Sequence, residues 1–275
     1  MSAPGRPKRE SLPLGGTARS AKGAPVGAAL STTGLSKRFG DFVANSDVTL
    51  AFPRGARHAL IGPNGAGKTT LINLLTGALA PTSGDVFLDG APITALPQHE
   101  RVKRGMTRTF QINTLFAGLT LLESVVLAIS ERNGAAGVWF RTVASRRAEI
   151  DEAQALLASL RLAADANALT RDLPYGKQRL IEIALALATK PRILLLDEPA
   201  AGIPAGESTE LFAAIAALPK DVTILFIEHD MELVFRFAER ITVLVGGRVL
   251  TEGTPAEIAA NPRVREVYLG EAQHG

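Results

Sequence analysis

Short apolar runs alternate with segments of helical periodicity along the chain from Ser31 onward. Residues 56–61 are predicted to form a strand that leads into a glycine-rich turn. After that turn, apolar residues over 69–79 recur every three or four positions, which predicts a helix. Strands that alternate with helices in this way are typical of an α/β protein with a parallel-sheet core.

Two later apolar runs, at 193–196 and 222–227, predict strands that are buried on both faces. The segment 120–165 is predicted to be mostly helical. Residues 242–250 predict a hairpin, and a helix is expected to follow it from about Pro255. The pattern as a whole predicts an α/β domain, and no internal repeat or coiled-coil heptad array is visible in the sequence.

The composition narrows the class of protein. The chain has 275 residues, of which 46% are hydrophobic and 21% charged, as in a globular protein with a buried core. No stretch approaches the roughly 18 uncharged apolar residues that a membrane-spanning helix requires. The lack of cysteine excludes disulfides, a thiol catalyst and sulfur-based zinc sites, and the four histidines do not have metal-ligand spacing.

The formal charge of +3 is concentrated at the N-terminus. Residues 1–30 carry five lysines and arginines against the single acid Glu10, and they are rich in Gly, Pro, Ala and Ser. We expect a disordered basic tail there, with weak attraction to anionic lipid headgroups as the alternative. Since the rest of the chain is nearly neutral, we expect no nucleic-acid partner.

The segment after the first strand fits the P-loop pattern G-x-x-x-x-G-K-[ST]. Its glycines let successive backbone N–H groups point into one concavity, and the helix that follows adds its positive end. Lys68 is expected to reach the β- and γ-phosphates of a nucleotide, and the Thr69 hydroxyl to bind Mg²⁺. The candidate phosphate-binding residues are Gly62, Pro63, Asn64, Gly65, Ala66, Gly67, Lys68, Thr69 and Thr70.

Acidic residues end the first of the two buried strands. Asp197 is placed to hold magnesium through water, and Glu198 to orient or deprotonate an attacking water. His229 follows the next strand, at the edge where α/β sheets bind ligands, and is expected to contact the γ-phosphate or the water. Together with the P-loop, this order of motifs is typical of a nucleotide hydrolase.

Two further candidates are ambiguous taken alone. Gln111 can bind Mg²⁺ through its carbonyl oxygen and touch the water through its amide, although exposed glutamines are common. Phe39 either packs in the core or offers a face on which adenine stacks.

With these motifs in the family's order, the chain over about 31–270 resembles the ATP-binding subunit of an ATP-binding-cassette (ABC) transporter. A signature-like segment, Leu173-Pro-Tyr-Gly-Lys-Gln178, completes the set. The resemblance implies a P-loop cassette with a parallel-sheet core, a small antiparallel β subdomain and an inserted helical subdomain at about 115–190. Residues 271–275 would be a short tail.

The resemblance also implies partners and a location. Two such subunits, identical or not, would pair head to tail around two ATP molecules, so that Gly176 of each contacts the nucleotide of the other. Hydrolysis would reset integral membrane permease subunits through the region around Gln111, at the cytoplasmic face of the inner membrane. A solute-binding protein would take part indirectly.

Finer motifs resemble the branched-chain amino-acid importers, whose relatives carry urea, short amides and aromatic acids. These motifs are Thr107-Arg-Thr-Phe-Gln111, the pair Tyr175-Gly176, Glu198-Pro-Ala-Ala-Gly202, Glu252-Gly-Thr-Pro-Ala-Glu257 and Tyr268-Leu-Gly270.

Two prolines depart from the family pattern. Pro174 stands where the signature usually has a serine, and proline offers neither a hydroxyl nor an N–H group, although it suits the first turn of a helix. Pro204 stands where a polar Asp or Asn usually follows the acidic pair. We expect nucleotide-driven closure to survive through Gly176 and the helix end, with Lys177 adding positive charge nearby.

Other classes of P-loop protein fit less well. Soluble cassette ATPases of DNA repair or the ribosome need a long coiled-coil insertion or two cassettes in one chain, and neither is present here. A GTPase would need an Asn-Lys-x-Asp motif, which is absent, and a small-molecule kinase would not explain Glu198 together with His229.

Overall fold

The computed structural model describes residues 27–109, 118–134 and 147–271. These residues form two sheets surrounded by helices. The strands are β1 Ala28–Phe39, β2 Phe42–Pro53, β3 Arg57–Ile61, β4 Ser83–Leu88, β5 Ala91–Pro92, β6 Met106–Arg108, β7 Ile193–Asp197, β8 Thr223–Ile227, β9 Arg240–Val245 and β10 Arg248–Gly253. The helices are α1 Lys68–Thr76, α2 Gln98–Lys103, α3 Leu121–Arg132, α4 Arg147–Ser159, α5 Tyr175–Ala188, α6 Ala205–Ala216, α7 Met231–Phe237, α8 Pro255–Ala260 and α9 Pro262–Glu271.

The six-stranded sheet has the order β10-β9-β3-β8-β7-β6. Every neighbouring pair is parallel except β9 and β10, which form the predicted hairpin. The second sheet, of order β2-β1-β4-β5, is antiparallel. The α/β class with a parallel core and a smaller antiparallel sheet, which the sequence predicted, is therefore confirmed.

Strands β3, β7 and β8 are buried along almost their whole length because both faces of the parallel sheet are covered. Their side chains alternate between two cores. Leu194 and Leu196 pack with helices α3 to α6, whereas Ile193 and Leu195 pack with α1 and the antiparallel sheet. The central sheet is thus held rigidly from both sides.

Arg101 of α2 ties the C-terminal end of α1 into the fold. Its guanidinium is almost fully buried and donates hydrogen bonds to the backbone carbonyls of Leu74 and Leu75 at 2.8 and 2.6 Å. Desolvation lowers the pKa of Arg101 to about 10, so the group stays protonated at neutral pH. A buried cation at this end satisfies orphan carbonyls and complements the helix dipole.

The predicted boundary of the N-terminal tail at residue 30 is wrong by three residues. β1 begins at Ala28, and Ala29 and Leu30 are buried in the core, where Leu30 pairs with Phe52 and Leu88 across the sheet. The low-complexity composition of the tail conceals this start. Residues 1–26, on which the prediction of disorder falls, lie outside the described residues.

The helical prediction for 120–165 holds in its described portions, which contain α3 and α4. A capping box explains the start of α3, since the Thr120 hydroxyl accepts from the N–H of Glu123 and the Glu123 carboxylate accepts from the N–H of Thr120. In the part of the chain that the structure describes, no helix is long and apolar enough to cross a membrane.

His58, at the centre of β3, makes the stability of this core depend on pH. Its imidazole is fully buried, its Nε2 lies 2.7 Å from the Thr242 hydroxyl and its ring packs edge-on against Phe52. Desolvation, with a smaller contribution from the charge of Arg240, lowers the pKa of His58 from 6.5 to about 4. Between these values the unfolded chain binds more protons than the folded one, so the free energy of unfolding falls as the pH falls.

We expect the wild-type protein to lose about 1.4 kcal/mol more unfolding free energy than His58→Gln when the pH is lowered from 7.5 to 5.5. Urea denaturation at the two pH values measures this difference. His99→Gln, at an exposed histidine, is the matched control and should behave as the wild type does. Equal losses in the wild type and His58→Gln would contradict the assignment.

Candidate active site

The loop between β3 and α1 is shaped by glycines that no other residue can replace. A Cβ on Gly62 would lie 2.1 Å from the carbonyl oxygen of Leu244, and one on Gly67 would lie 2.4 Å from that of Ala44. Gly67 also has the left-handed φ of 94° that starts α1, and no side chain caps that helix end. The backbone N–H groups at the start of α1 are therefore available to an anion.

Lys68 lies at the base of this loop. Its ammonium is almost fully buried and donates to the carbonyl oxygens of Gly62 and Pro63 at 2.5 and 2.9 Å. A positive charge is thus held inside the curve of the loop, beside the helix end. The adjacent Thr69 is exposed and lines a cavity of ≈ 270 Å³.

This cavity brings together residues that are far apart in sequence. Thr69 from the loop and the acidic pair Asp197 and Glu198 from the end of β7 share its wall. Arg108 of β6 also lines the cavity, as do Arg179 and Glu182 of α5, which form a largely buried ion pair at 2.8 Å. Phosphate-binding and acidic groups therefore face one space, as their strand-end positions predicted.

Asp197 is paired with an arginine that the sequence analysis did not single out. Nη2 of Arg108, from the neighbouring strand β6, lies 2.5 Å from Oδ2 of Asp197. Nη1 of Arg108 donates to Oδ1 of Asn73 on α1 at 2.8 Å. The sequence contains no signal for this pair, because it does not reveal that β6 lies beside β7.

Glu198 and His229 are in direct contact across the loops that follow β7 and β8. Nε2 of His229 lies 2.6 Å from Oε1 of Glu198, and both side chains remain well exposed. Glu198 has a left-handed φ of 49°, and its N–H group donates to the carbonyl of Ile227 at 3.0 Å. A strained backbone of this kind is typical of functional sites, where surrounding bonds hold it.

Glu228, also missed from the sequence, braces the same loops from beneath. Its carboxylate is nearly fully buried and accepts hydrogen bonds from the N–H groups of Ala200 at 2.8 Å and His229 at 3.2 Å. Burial is the main cause that raises the pKa of Glu228, and the charge of Glu198 adds to it. Its place between a buried strand and His229 is the signal that could have found it.

The signature-like segment lies apart from this cavity. Pro174 is the N-cap of α5, and Gly176 does not line the cavity but donates its N–H to Oε2 of Glu207 on α6 at 3.2 Å. Lys177, expected to place a positive charge near the segment, forms an ion pair with Asp165 at 2.8 Å. Pro204 is likewise the N-cap of α6, without a side-chain hydrogen bond.

Phe39 lies at the end of β1, and its ring is 49% exposed, which excludes core packing. It pairs across the hairpin with Phe42, which is 64% exposed, and the Lys37 ammonium lies 5.1 Å from the centre of its ring. An aromatic face is thus open to a ligand.

Gln111 lies outside the described residues.

Comparisons with known proteins agree with this geometry. The sequence model of the ABC transporter family matches residues 45–201, and that of the branched-chain amino acid ATP-binding cassette transporter matches residues 248–274. The high-affinity branched-chain amino acid transport ATP-binding protein BraF of Pseudomonas aeruginosa is 43% identical, over 88% of this chain and 98% of that protein. LivG of Escherichia coli, with the corresponding description, is 42% identical over 88% and 98%.

Solved structures are similar as well. The ADP conformation of the ATP-binding cassette MJ1267 has a TM-score of 0.78 at 30% identity, and the match covers 88% of this chain and 99% of that one. A dimeric post-hydrolysis state of the cassette MJ0796, bound to ADP and Pi, has a TM-score of 0.66 at 26% identity over 82% and 98%.

These similarities confirm the family resemblance and the ATPase activity that the sequence motifs predicted. Solved cassettes of this fold bind ADP, and the relatives named above are ATP-binding subunits of membrane transporters. The chain belongs to the ABC transporter family, as an ATP-hydrolysing subunit of the importer type.

Proposed function

We propose that this subunit powers the uptake of branched-chain amino acids. The choice of solute rests on the match of residues 248–274 to the branched-chain amino acid ATP-binding cassette family. Relatives of 42–43% identity that are named for that transport support it. The subunit would act at the cytoplasmic face of the inner membrane, beneath permease subunits that receive solute from a binding protein. A related importer of urea, amides or aromatic acids is the second candidate.

The nucleotide would be held by the P-loop. Residues 62–70 surround its phosphates with backbone N–H groups, and Lys68 exchanges its carbonyl partners for phosphate oxygens. The exposed ring of Phe39 would stack on adenine, a contact worth roughly 1–3 kcal/mol. We propose the cassette from Ala28 to about residue 270, with a helical subdomain at about 115–190, as the functional unit.

The donor set fits Mg²⁺. Among the described residues, no cluster of three or more His, Cys, Asp or Glu could hold a metal alone. The Thr69 hydroxyl and the Asp197 carboxylate are hard oxygen donors on one cavity, which suits an ion that keeps waters and shares its shell with phosphates. When bound, magnesium neutralises charge on the phosphates. Gln111 would add a carbonyl ligand and contact the attacking water.

Glu198 is the proposed general base. Its carboxylate is exposed at the cavity and already in contact with His229, so it can accept the proton of a water that attacks the γ-phosphate. His229 would orient that carboxylate and donate a hydrogen bond to the phosphate. Lys68 and the loop N–H groups would stabilise the charge that spreads over the phosphate oxygens.

The second half of each site would come from a partner subunit. Gly176 and the start of α5 lie outside the cavity of their own subunit, which supports a contact with the nucleotide of a facing copy instead. ATP would favour the closed pair and hydrolysis would release it, which is a population shift between two states. Closure requires that the Gly176 N–H leave Glu207.

We expect that labelled leucine uptake in a deletion strain is restored by the wild-type chain and not by Glu198→Gln. Glu266→Gln, at an exposed acid of α9, is the matched control and should restore uptake. Urea and a benzoate-type acid are tested in parallel. Restoration of one of those solutes without leucine would keep the transport motor and contradict the proposed solute.

In the purified protein, Glu198→Gln should bind ATP, accumulate as a closed dimer and hydrolyse ATP at least about 100-fold more slowly, since it lacks the general base. Lys68→Ala should instead lose nucleotide affinity by about tenfold or more. Size-exclusion chromatography, fluorescent-nucleotide binding and phosphate release measure these effects. Wild-type turnover in Glu198→Gln would remove Glu198 from the role of base.

Pro174→Ser should change the ATPase rate by less than about threefold and raise the thermal stability slightly. Pro174 is the N-cap of α5, where serine can accept a hydrogen bond from the helix, and such caps are worth about 0.5–2 kcal/mol. Phosphate release and thermal unfolding are the measurements. A rate increase of tenfold or more would show that the native signature is impaired by the proline.

A further inference from the structure

Arg108 places a positive charge beside Asp197 at the C-terminal end of β7. The proposed hydrolysis mechanism assigns no role to Arg108. β6 and β7 are parallel neighbours, with Arg108 opposite Leu195, so the long side chain reaches forward to Asp197. The ion pair is 16% and 22% exposed on its two sides. It is therefore a partly desolvated, charge-assisted bond rather than a surface contact.

The guanidinium of Arg108 binds residues from two different parts of the site. Its Nη2 donates to Asp197, and its Nη1 donates to Asn73 on α1, the helix that begins at the P-loop. If the bond to Asp197 breaks, the bond to Asn73 still retains the side chain beside the cavity. The Arg108 guanidinium can therefore either bind both Asp197 and Asn73 or remain beside the cavity on Asn73 alone.

We propose that Arg108 is a positioning residue that occupies Asp197 before the metal arrives and competes with Mg²⁺ for that carboxylate. The inference rests on the proposed binding of Mg²⁺ and nucleotide at this cavity. A divalent cation that approaches Asp197 is repelled by the Arg108 guanidinium, which is already bonded to that carboxylate. Binding of the metal therefore displaces the guanidinium from Asp197. Before that exchange, the charge of Arg108 attracts metal-free nucleotide to the cavity.

The other arginine of the cavity does not share this role. Arg179 lies on the same helix as its partner Glu182, three positions away, so this ion pair links no other element to α5. Arg108 joins β6, α1 and the end of β7 instead. Its replacement is therefore expected to change how metal and nucleotide bind, which a purely structural ion pair would not do.

The test measures Mg²⁺-dependent binding of a fluorescent ATP analogue to the full-length chain, in EDTA and across a magnesium titration. Arg108→Met should lower the Mg²⁺ midpoint by about tenfold, because the competitor for Asp197 is gone. The affinity for metal-free analogue should fall by about threefold or more, because a positive charge is lost. Arg108→Lys, which keeps the charge, should stay within about threefold of wild type.

Two further variants isolate the pair. Arg192→Met removes an exposed arginine that binds Asp89 at 2.7 Å at the opposite end of β7, and it should leave both quantities unchanged. In an Asp197→Asn background, Arg108→Met should shift the Mg²⁺ midpoint by less than about twofold, since the contested carboxylate is absent. If Arg108→Met does not fold, as judged by thermal unfolding, Arg108→Gln replaces it.

An unchanged or higher Mg²⁺ midpoint in a folded Arg108 variant would overturn the proposal, and so would an equal shift in the Asp197→Asn background. Failure of the wild-type chain to bind the analogue, with or without magnesium, would instead overturn the proposed nucleotide site itself. The two failures are thus distinguishable.

Discussion

The parallel register of β3, β8 and β7 is the constraint on which the site depends. These strands end at the same edge of the sheet, where Leu60 lies opposite Ile227 and Ile227 opposite Asp197. The P-loop, the acidic pair and His229 each lie at one of these strand ends, so side chains more than 100 residues apart meet at one edge of the sheet. The two cores that cover the sheet hold this alignment.

Three carboxylates at this edge have three different environments. Asp197 is paired with Arg108, Glu198 contacts His229 while open to solvent, and Glu228 is buried against backbone N–H groups with a raised pKa. Environment therefore distinguishes the roles that we propose for three residues of the same chemistry: metal binding for Asp197, proton transfer for Glu198 and support of the loops for Glu228. The left-handed backbone of Glu198 is held by the frame that Glu228 supports.

The two unusual prolines have a common consequence. Pro174 and Pro204 both occupy N-cap positions, where neither side chain can accept a hydrogen bond from its helix. Glu207, in the first turn of α6, supplies an acceptor to the start of α5 through the N–H group of Gly176. One helix thus caps its neighbour, and the signature-like segment is bonded to α6, the helix that follows the acidic pair.

The sequence by itself determined the fold class, the central strands and the main candidate residues. A P-loop and apolar strands that lead into Asp197-Glu198 and His229 are local patterns, and each indicates a specific structure and chemistry. The sequence could not reveal Arg108 or Glu207, since their partners come from other strands and helices and leave no spacing in the chain. Glu228 was overlooked, although its position between a buried strand and His229 is a local signal. The sequence pattern also placed the start of β1 too late and left open whether Phe39 is buried or exposed. Burial and pairing across elements are properties of the packed structure, and only that structure decided which charges meet.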